Sequence, residues 1–195
     1  MSTNPYSAVD PALYPSGAPA GPAGSAMSWS AIMGGVVAAI ALTLTLLTIG
    51  SAFGLASISP WPGVGAAAST FTIGAGIWLI VTQWLSALMG GYLAGRLRTR
   101  WHGLHTDEVF FRDTAHGFLT WATATMILAI VAVGAGALAH IATPATDVVV
   151  TKEAADAARK TAAAFATFTG LSLLIGAFIG SAAGAVGGRL RDLHP

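Results

Sequence analysis

The chain has 195 residues, 54% hydrophobic and only 9% charged, with a formal net charge of +1 and no cysteine. A soluble domain carries about 25% charged residues, whereas here no charge of either sign lies between Asp10 and Arg96. This excludes an ordinary soluble domain, a disulfide framework, a thiolate metal site and a basic nucleic-acid binder, and it points to one integral membrane domain.

In chain order, residues 1–27 read as a disordered tail rich in Pro, Ala, Gly and Ser, without the Lys/Arg-rich start of a secretory signal. Residues 28–195 read as an all-α, four-helix transmembrane domain. A bilayer core needs about 20 apolar residues in a helix. Four runs free of Asp, Glu, Lys and Arg meet that length, at about 31–55, 71–95, 117–141 and 163–188. The stretch "SPWPGVG" separates the first two, because its prolines oppose a continuous helix.

Four spans put both termini and the middle loop on one side. That side holds Arg96, Arg98, Arg100, Arg112, Arg189 and Arg191, against Lys152, Arg159 and Lys160 on the other. The positive-inside rule then places both termini in the cytoplasm. Trp29, Trp101 and Trp121 fall near the cytoplasmic interface and Trp61 near the outer one. Arg96, Arg98, Arg100, Arg189 and Arg191 have two readings, as anionic-lipid headgroup contacts or as topology determinants. Only the second needs nothing beyond their position.

The fourth span carries glycine at every fourth position: Gly176, Gly180, Gly184 and Gly188. Four glycines forfeit roughly 2–4 kcal/mol of helix propensity against alanine. The expected return is close packing, since a bare stripe lets another helix backbone approach. Gly91 and Gly95 form a shorter stripe on the second span, and the partner of the long stripe is expected to be the second or third helix. The second span ends "GYLAGRLR" and the fourth "GAVGGRLR". This is either a duplicated helical hairpin in parallel repeat or a chance likeness of Gly/Ala-rich helices ending in arginine.

The middle loop, "RWHGLHTDEVFFRDTAHG", concentrates His102, His105, Asp107, Asp113 and His116, residue types that bind divalent metal. Their spacing fits no metal motif. A helix lead-in explains the loop without metal: Thr106 as N-cap, Asp107 and Glu108 in the first turn, and a Glu108–Arg112 pair. In the outer loop, Thr151 is placed to cap a helix starting at Lys152, with Asp156 and Lys160 able to pair.

"WSAIMGGVVAA", "GGYLAGRLR" and "GLHTDEVFFRDTAHGF" resemble a family of small alphaproteobacterial inner-membrane proteins, some labelled "PhnA-like". The resemblance runs from about Trp29 onward. It implies four helices and a bacterial inner membrane, and no reaction.

No nucleophile–base arrangement, phosphate loop or cofactor motif is evident, so no enzyme and no cofactor are expected. The spans hold no fully charged residue, unlike a proton-coupled carrier. The leading expectation is a structural or auxiliary membrane protein that packs with itself, as a homo-oligomer, or with a larger membrane complex. The alternative is a small oligomeric channel or transporter, its pore between protomers lined by Thr43, Thr45, Thr48 and Gln83. The topology is testable in this cysteine-free chain. A cysteine at Gly103 should be shielded from an impermeant thiol reagent in intact cells, and one at Val149 should react. The reverse pattern would invert the orientation.

Overall fold

The computed structural model describes residues 26–59, 63–65, 67–101, 104–142 and 151–193. The expected tail, apart from its last two residues, lies outside them, as do Trp61 and His102. The apolar runs fold as four helices: α1 (Trp29–Ser57), α2 (Ala68–Leu97), α3 (Thr106–Ala142) and α4 (Lys152–Leu193). Each is long and apolar enough to cross a membrane. Among the described residues there is no β-strand, only an isolated bridge between Ile58 and Gly65 beyond the end of α1. Gly65 turns the chain there with φ +101°, a conformation that side chains resist.

Helices α3 and α4 begin well before their apolar runs. The polar segment after residue 105 is already helical, with Arg112 bonded to Glu108 at 2.7 Å one turn away. The His105 carbonyl accepts from the Val109 N–H at 3.1 Å. The cap position therefore falls on His105, one residue before the expected Thr106. At α4, Thr151 Oγ1 accepts from the Ala154 N–H at 3.2 Å. Asp156 pairs with Arg159 at 3.5 Å, not with Lys160, because three residues as well as four return a helix to the same face.

Contacts between helices fix their directions. The Ser28 N–H reaches His116, and four residues on the Ile32 carbonyl meets Thr120, so α1 and α3 run parallel. Gly91 lies against Gly180 and Gly95 against Gly184, so α2 and α4 run parallel. Gly117 meets Gly180 and Gly184, and Gly184 in turn meets Asp113, so α3 and α4 are antiparallel. The start of α1, the end of α2, the start of α3 and the end of α4 therefore gather at one end. Helices α2 and α3 each touch all three others, whereas α1 and α4 do not meet among the described residues. The bundle is a rhombus with α2 and α3 on its short diagonal.

The interior is built from small residues. Ile32, Val36, Ala39 and Ala124 form the core cluster, and Ala87, Ala94, Ala183 and Ala185 are also buried. Large side chains such as Phe53, Val133, Leu174 and Phe178 point outward. In water such a surface would aggregate; among lipid tails it costs nothing, and close backbone contact takes over from apolar burial as the attraction.

The glycines fall into two environments. A Cβ added at Gly91 would collide with the Gly180 carbonyl, and one at Gly95 with the Gly184 carbonyl. At Gly134, Gly136 and Gly170 it would meet nothing within 4 Å. Gly95→Ala should therefore destabilise the protein by about 1–3 kcal/mol through overpacking. Gly134→Ala and Gly170→Ala should be neutral or stabilising by about 0.5–1 kcal/mol. Thermal unfolding of the three variants in one detergent checks this; equal midpoints would show that the close approaches carry no weight.

Candidate functional site

The shared end holds the polar residues of the bundle, and its centre is Arg98. Helix α2 stops at Leu97, and Arg98 follows in extended conformation (φ −64°, ψ 155°). That turn carries the guanidinium back between α3 and α4, where the side chain has no exposure to solvent. Arg98 grips Asp113 with both arms of its fork: Nε donates to Oδ1, and Nη2 to Oδ2 at 2.8 Å. The same Nη2 donates to Asp192 Oδ2 at 2.9 Å, and Nη1 donates to the Thr99 carbonyl at 3.1 Å. Three helices are thus tied by one planar cation, a geometry that lysine would not reproduce. Burial alone would weaken the hold of Arg98 on its proton. The hydrogen bonds and charges of Asp113 and Asp192 outweigh that burial and keep the guanidinium above its ordinary value.

Aromatic and polar neighbours complete the cluster. Trp101 lies over the Arg98 guanidinium at 4.3 Å, with Arg112 5.3 Å from the same ring. His116 packs against Trp101 with ring centroids 5.4 Å apart. His116 is fully buried, and both ring nitrogens are engaged. Nδ1 lies 2.7 Å from the Arg112 carbonyl, and Nε2 accepts from the Ser28 N–H at 2.8 Å. The carbonyl requires the proton on Nδ1 and the amide requires a lone pair on Nε2, so this network assigns a neutral imidazole with its proton on Nδ1. The histidine stands in for a side-chain cap at the start of α1, where Ser28 makes none. Asp192 also pairs with Arg191 at 3.2 Å and Arg100 at 3.7 Å, and Arg100 donates to its carbonyl.

The last glycine of the stripe makes room for this cluster, since a Cβ at Gly188 would run into the Asp113 carboxylate. The five metal candidates are not brought together. His105 and Asp107 form a loose 3.6 Å pair in solvent, Asp113 and His116 are buried and bonded elsewhere, and His102 lies outside the described residues. Among the described residues, no three potential ligands gather to hold a metal ion. The arginines grouped for lipid headgroups divide as well. Arg98 is buried and cannot reach a headgroup, while Arg100 and Arg191 are partly exposed.

The proposed pore lining does not form one surface. Thr43 is buried, whereas Thr45 and Thr48 are exposed, and all three hydroxyls donate to the carbonyl four residues back. Sequence reasoning missed the partnership of Arg98 with Asp113. The signal was present: Asp113, Gly117, Thr120 and Ala124 recur at helical spacing, so Asp113 continues a packing face and requires a buried cation.

These features define an all-helical protein with the build of a multi-pass membrane protein, three of its four helices tied at one end by buried ion pairing. No family model matches the chain, and neither a curated protein nor a solved structure matches it.

Removing one member of a buried pair strands its partner in a poor solvent, at about 3–5 kcal/mol. Asp113→Ala and Arg98→Ala should each lower stability by that order, and the double variant by clearly less than the sum. Thermal unfolding of the four proteins in detergent tests this coupling; strict additivity would show that the pair does not act as a unit.

Proposed function

We propose that this chain is a structural or auxiliary protein of a bacterial inner membrane, with both termini in the cytoplasm, that holds a second membrane chain through the projecting part of α4. The observation that carries this reading is the length and exposure of α4. Its 42 residues extend ~63 Å at 1.5 Å per residue, about twice the ~30 Å of a bilayer core. Every residue from 151 to 171 is exposed, as is every residue from 129 to 138 in α3. The first turns of α4 carry Lys152, Glu153, Asp156, Arg159 and Lys160 on an alanine-rich backbone. A polar helix of this length is marginal alone in water and gains its stability from packing. A stalk rising from a locked base is suited to a partner on the outer face.

In this reading, Gly91, Gly95, Gly176, Gly180, Gly184 and Gly188 form the seam that makes the base rigid, supported by the backbone approaches described above. Two hairpins in parallel repeat would account for the matching "GRLR" ends. His116, the natural acid–base candidate, has both nitrogens committed to the backbone.

Affinity purification of the full chain in mild detergent tests the proposal. Wild type should retain a stoichiometric membrane partner, or a second copy of itself, that is lost when Ala157 and Ala164 on the stalk are changed to lysine. A monomer without companions under every mild condition would overturn it. Solute flux through purified protein in liposomes would favour the channel instead.

A further inference from the structure

A second polar place lies far from Arg98, near the middle of α2. Gln83 sits about halfway along that helix and faces α4 at the level of Gly176. From the position of a Cβ at Gly176, Trp121 Nε1 would be 3.0 Å away and Gln83 Nε2 3.1 Å. The absent side chain therefore leaves two nitrogen donors facing the same small space. One turn earlier on α4, Ser172 is 94% buried by its 6% relative exposure. Its hydroxyl and the Trp121 indole N–H are buried and have no hydrogen-bond partner. Thr82 Oγ1, Trp84 Nε1, Ser86 Oγ and Arg96 Nη1 are also buried without a partner, and what sets Ser172 apart is the cavity beside it.

Ser172 and Gln83 line one cavity of about 190 Å³ between α2 and α4. Apart from Thr169, its other walls are apolar and include Leu79, Ile80, Phe165 and Phe168. Phe165 and Phe168 are themselves about half exposed, so the cavity opens sideways toward the surrounding lipid. The surplus at its inner end is of donors. If the Gln83 amide is turned so that its oxygen accepts from Trp121, its NH2 and the Ser172 hydroxyl remain to donate. No charged side chain lines the cavity.

We propose that this cleft binds a membrane-dissolved molecule through a neutral carbonyl oxygen. The oxygen accepts hydrogen bonds from the Ser172 hydroxyl and the Gln83 NH2, and the apolar body lies between Phe165 and Phe168. A buried hydroxyl without a partner is costly, and an incoming acceptor relieves that cost. An anionic ligand is disfavoured because no cation faces the site. Two kinds of membrane molecule offer such an oxygen: the ring of a quinone and the acyl ester of a lipid. The volume admits a six-membered ring or a short length of acyl chain.

The test uses the purified full chain in nanodiscs and a photoreactive benzoquinone carrying a decyl chain. Light-induced labelling should saturate and map to the α2 and α4 segments around Ser172. Competition by unlabelled decyl-benzoquinone alone identifies a quinone; competition by excess diacylglycerol identifies the ester. Either result supports the carbonyl site. Gln83→Leu combined with Ser172→Ala should weaken labelling about tenfold, as expected for loss of two hydrogen bonds. Ser172→Ala alone, which removes the hydroxyl with little change of bulk, should also weaken it should the double variant fail to fold. Labelling that is unsaturable, ignores both competitors, or persists at full strength in the variants overturns the proposal, and leaves a bound water as the partner of these donors.

Discussion

The Arg98–Asp113 pair sets the terms for the rest of the molecule. A guanidinium withdrawn from water is tolerable only where carboxylates meet it in the right plane. Asp113 supplies one such partner from α3 and Asp192 a second from the end of α4. Meeting that condition forces three chain segments to arrive together. The α2 helix must stop at Leu97 so that Arg98 can turn inward. The α3 helix must start early enough to carry Asp113 on its packed face. The α4 helix must pass so close that only glycine fits at position 188. The ion pair sits at the end of a line of close approaches: Gly91 meets Gly180, Gly95 meets Gly184, and Gly188 meets Asp113.

Packing elsewhere follows from the solvent. Apolar burial holds a soluble bundle together, so its large side chains turn inward. Here Phe178 and Leu174 point outward while Ala, Gly, Ser and Thr fill the interior. A lipid tail and a leucine are equally apolar, so contact distance decides between arrangements. The helices that come closest are those with the smallest faces. Helix α2 presents Gly90 toward α1 and Gly91 and Gly95 toward α4, which lets it occupy the short diagonal and touch all three neighbours.

The four helices could be read directly from the sequence, because charge is excluded from long apolar runs whatever their partners are. The early starts of α3 and α4 leave no mark in hydropathy and were legible only from cap and first-turn chemistry, which placed them at residues 106 and 152. Thr151 capping α4 was legible because the cap is local. The fate of Arg98 was not: a run of alternating arginines looks alike whether each faces headgroups or one turns inward. Only the helical face shared by Asp113, Gly117 and Thr120 separates the two cases. The role of His116 was equally hidden. Its residue type admits a metal ligand or a structural histidine, and its partner, the Ser28 amide, lies at the start of another helix.

The order of the bundle is uneven along its length. At the Arg98 end, four chain segments meet in a cluster in which Arg98, Asp113, His116 and Asp192 all find partners. Toward the other end contacts thin out. A cavity of about 740 Å³ opens between α1 and α2 beside Phe53, Phe71 and Trp78. Trp78 closes its inner edge by donating to the Leu46 carbonyl at 2.9 Å. Still further out α3 and α4 stand exposed. A structure locked at one end and open at the other can adjust its open end without disturbing the lock, because helices pivot more easily than they slide past interlocked glycines. The donor-rich cleft at Ser172 lies where the two regimes meet. Between Gly91, pressed on Gly180, and Gly76, whose Cβ would meet Phe168 only at 3.8 Å, the α2–α4 seam widens from backbone contact to side-chain contact. Filling the cleft would extend the tight zone along the seam and stiffen α4 next to its exposed first half, giving a bound molecule a direct mechanical route from the packed part of the helix to the unpacked part.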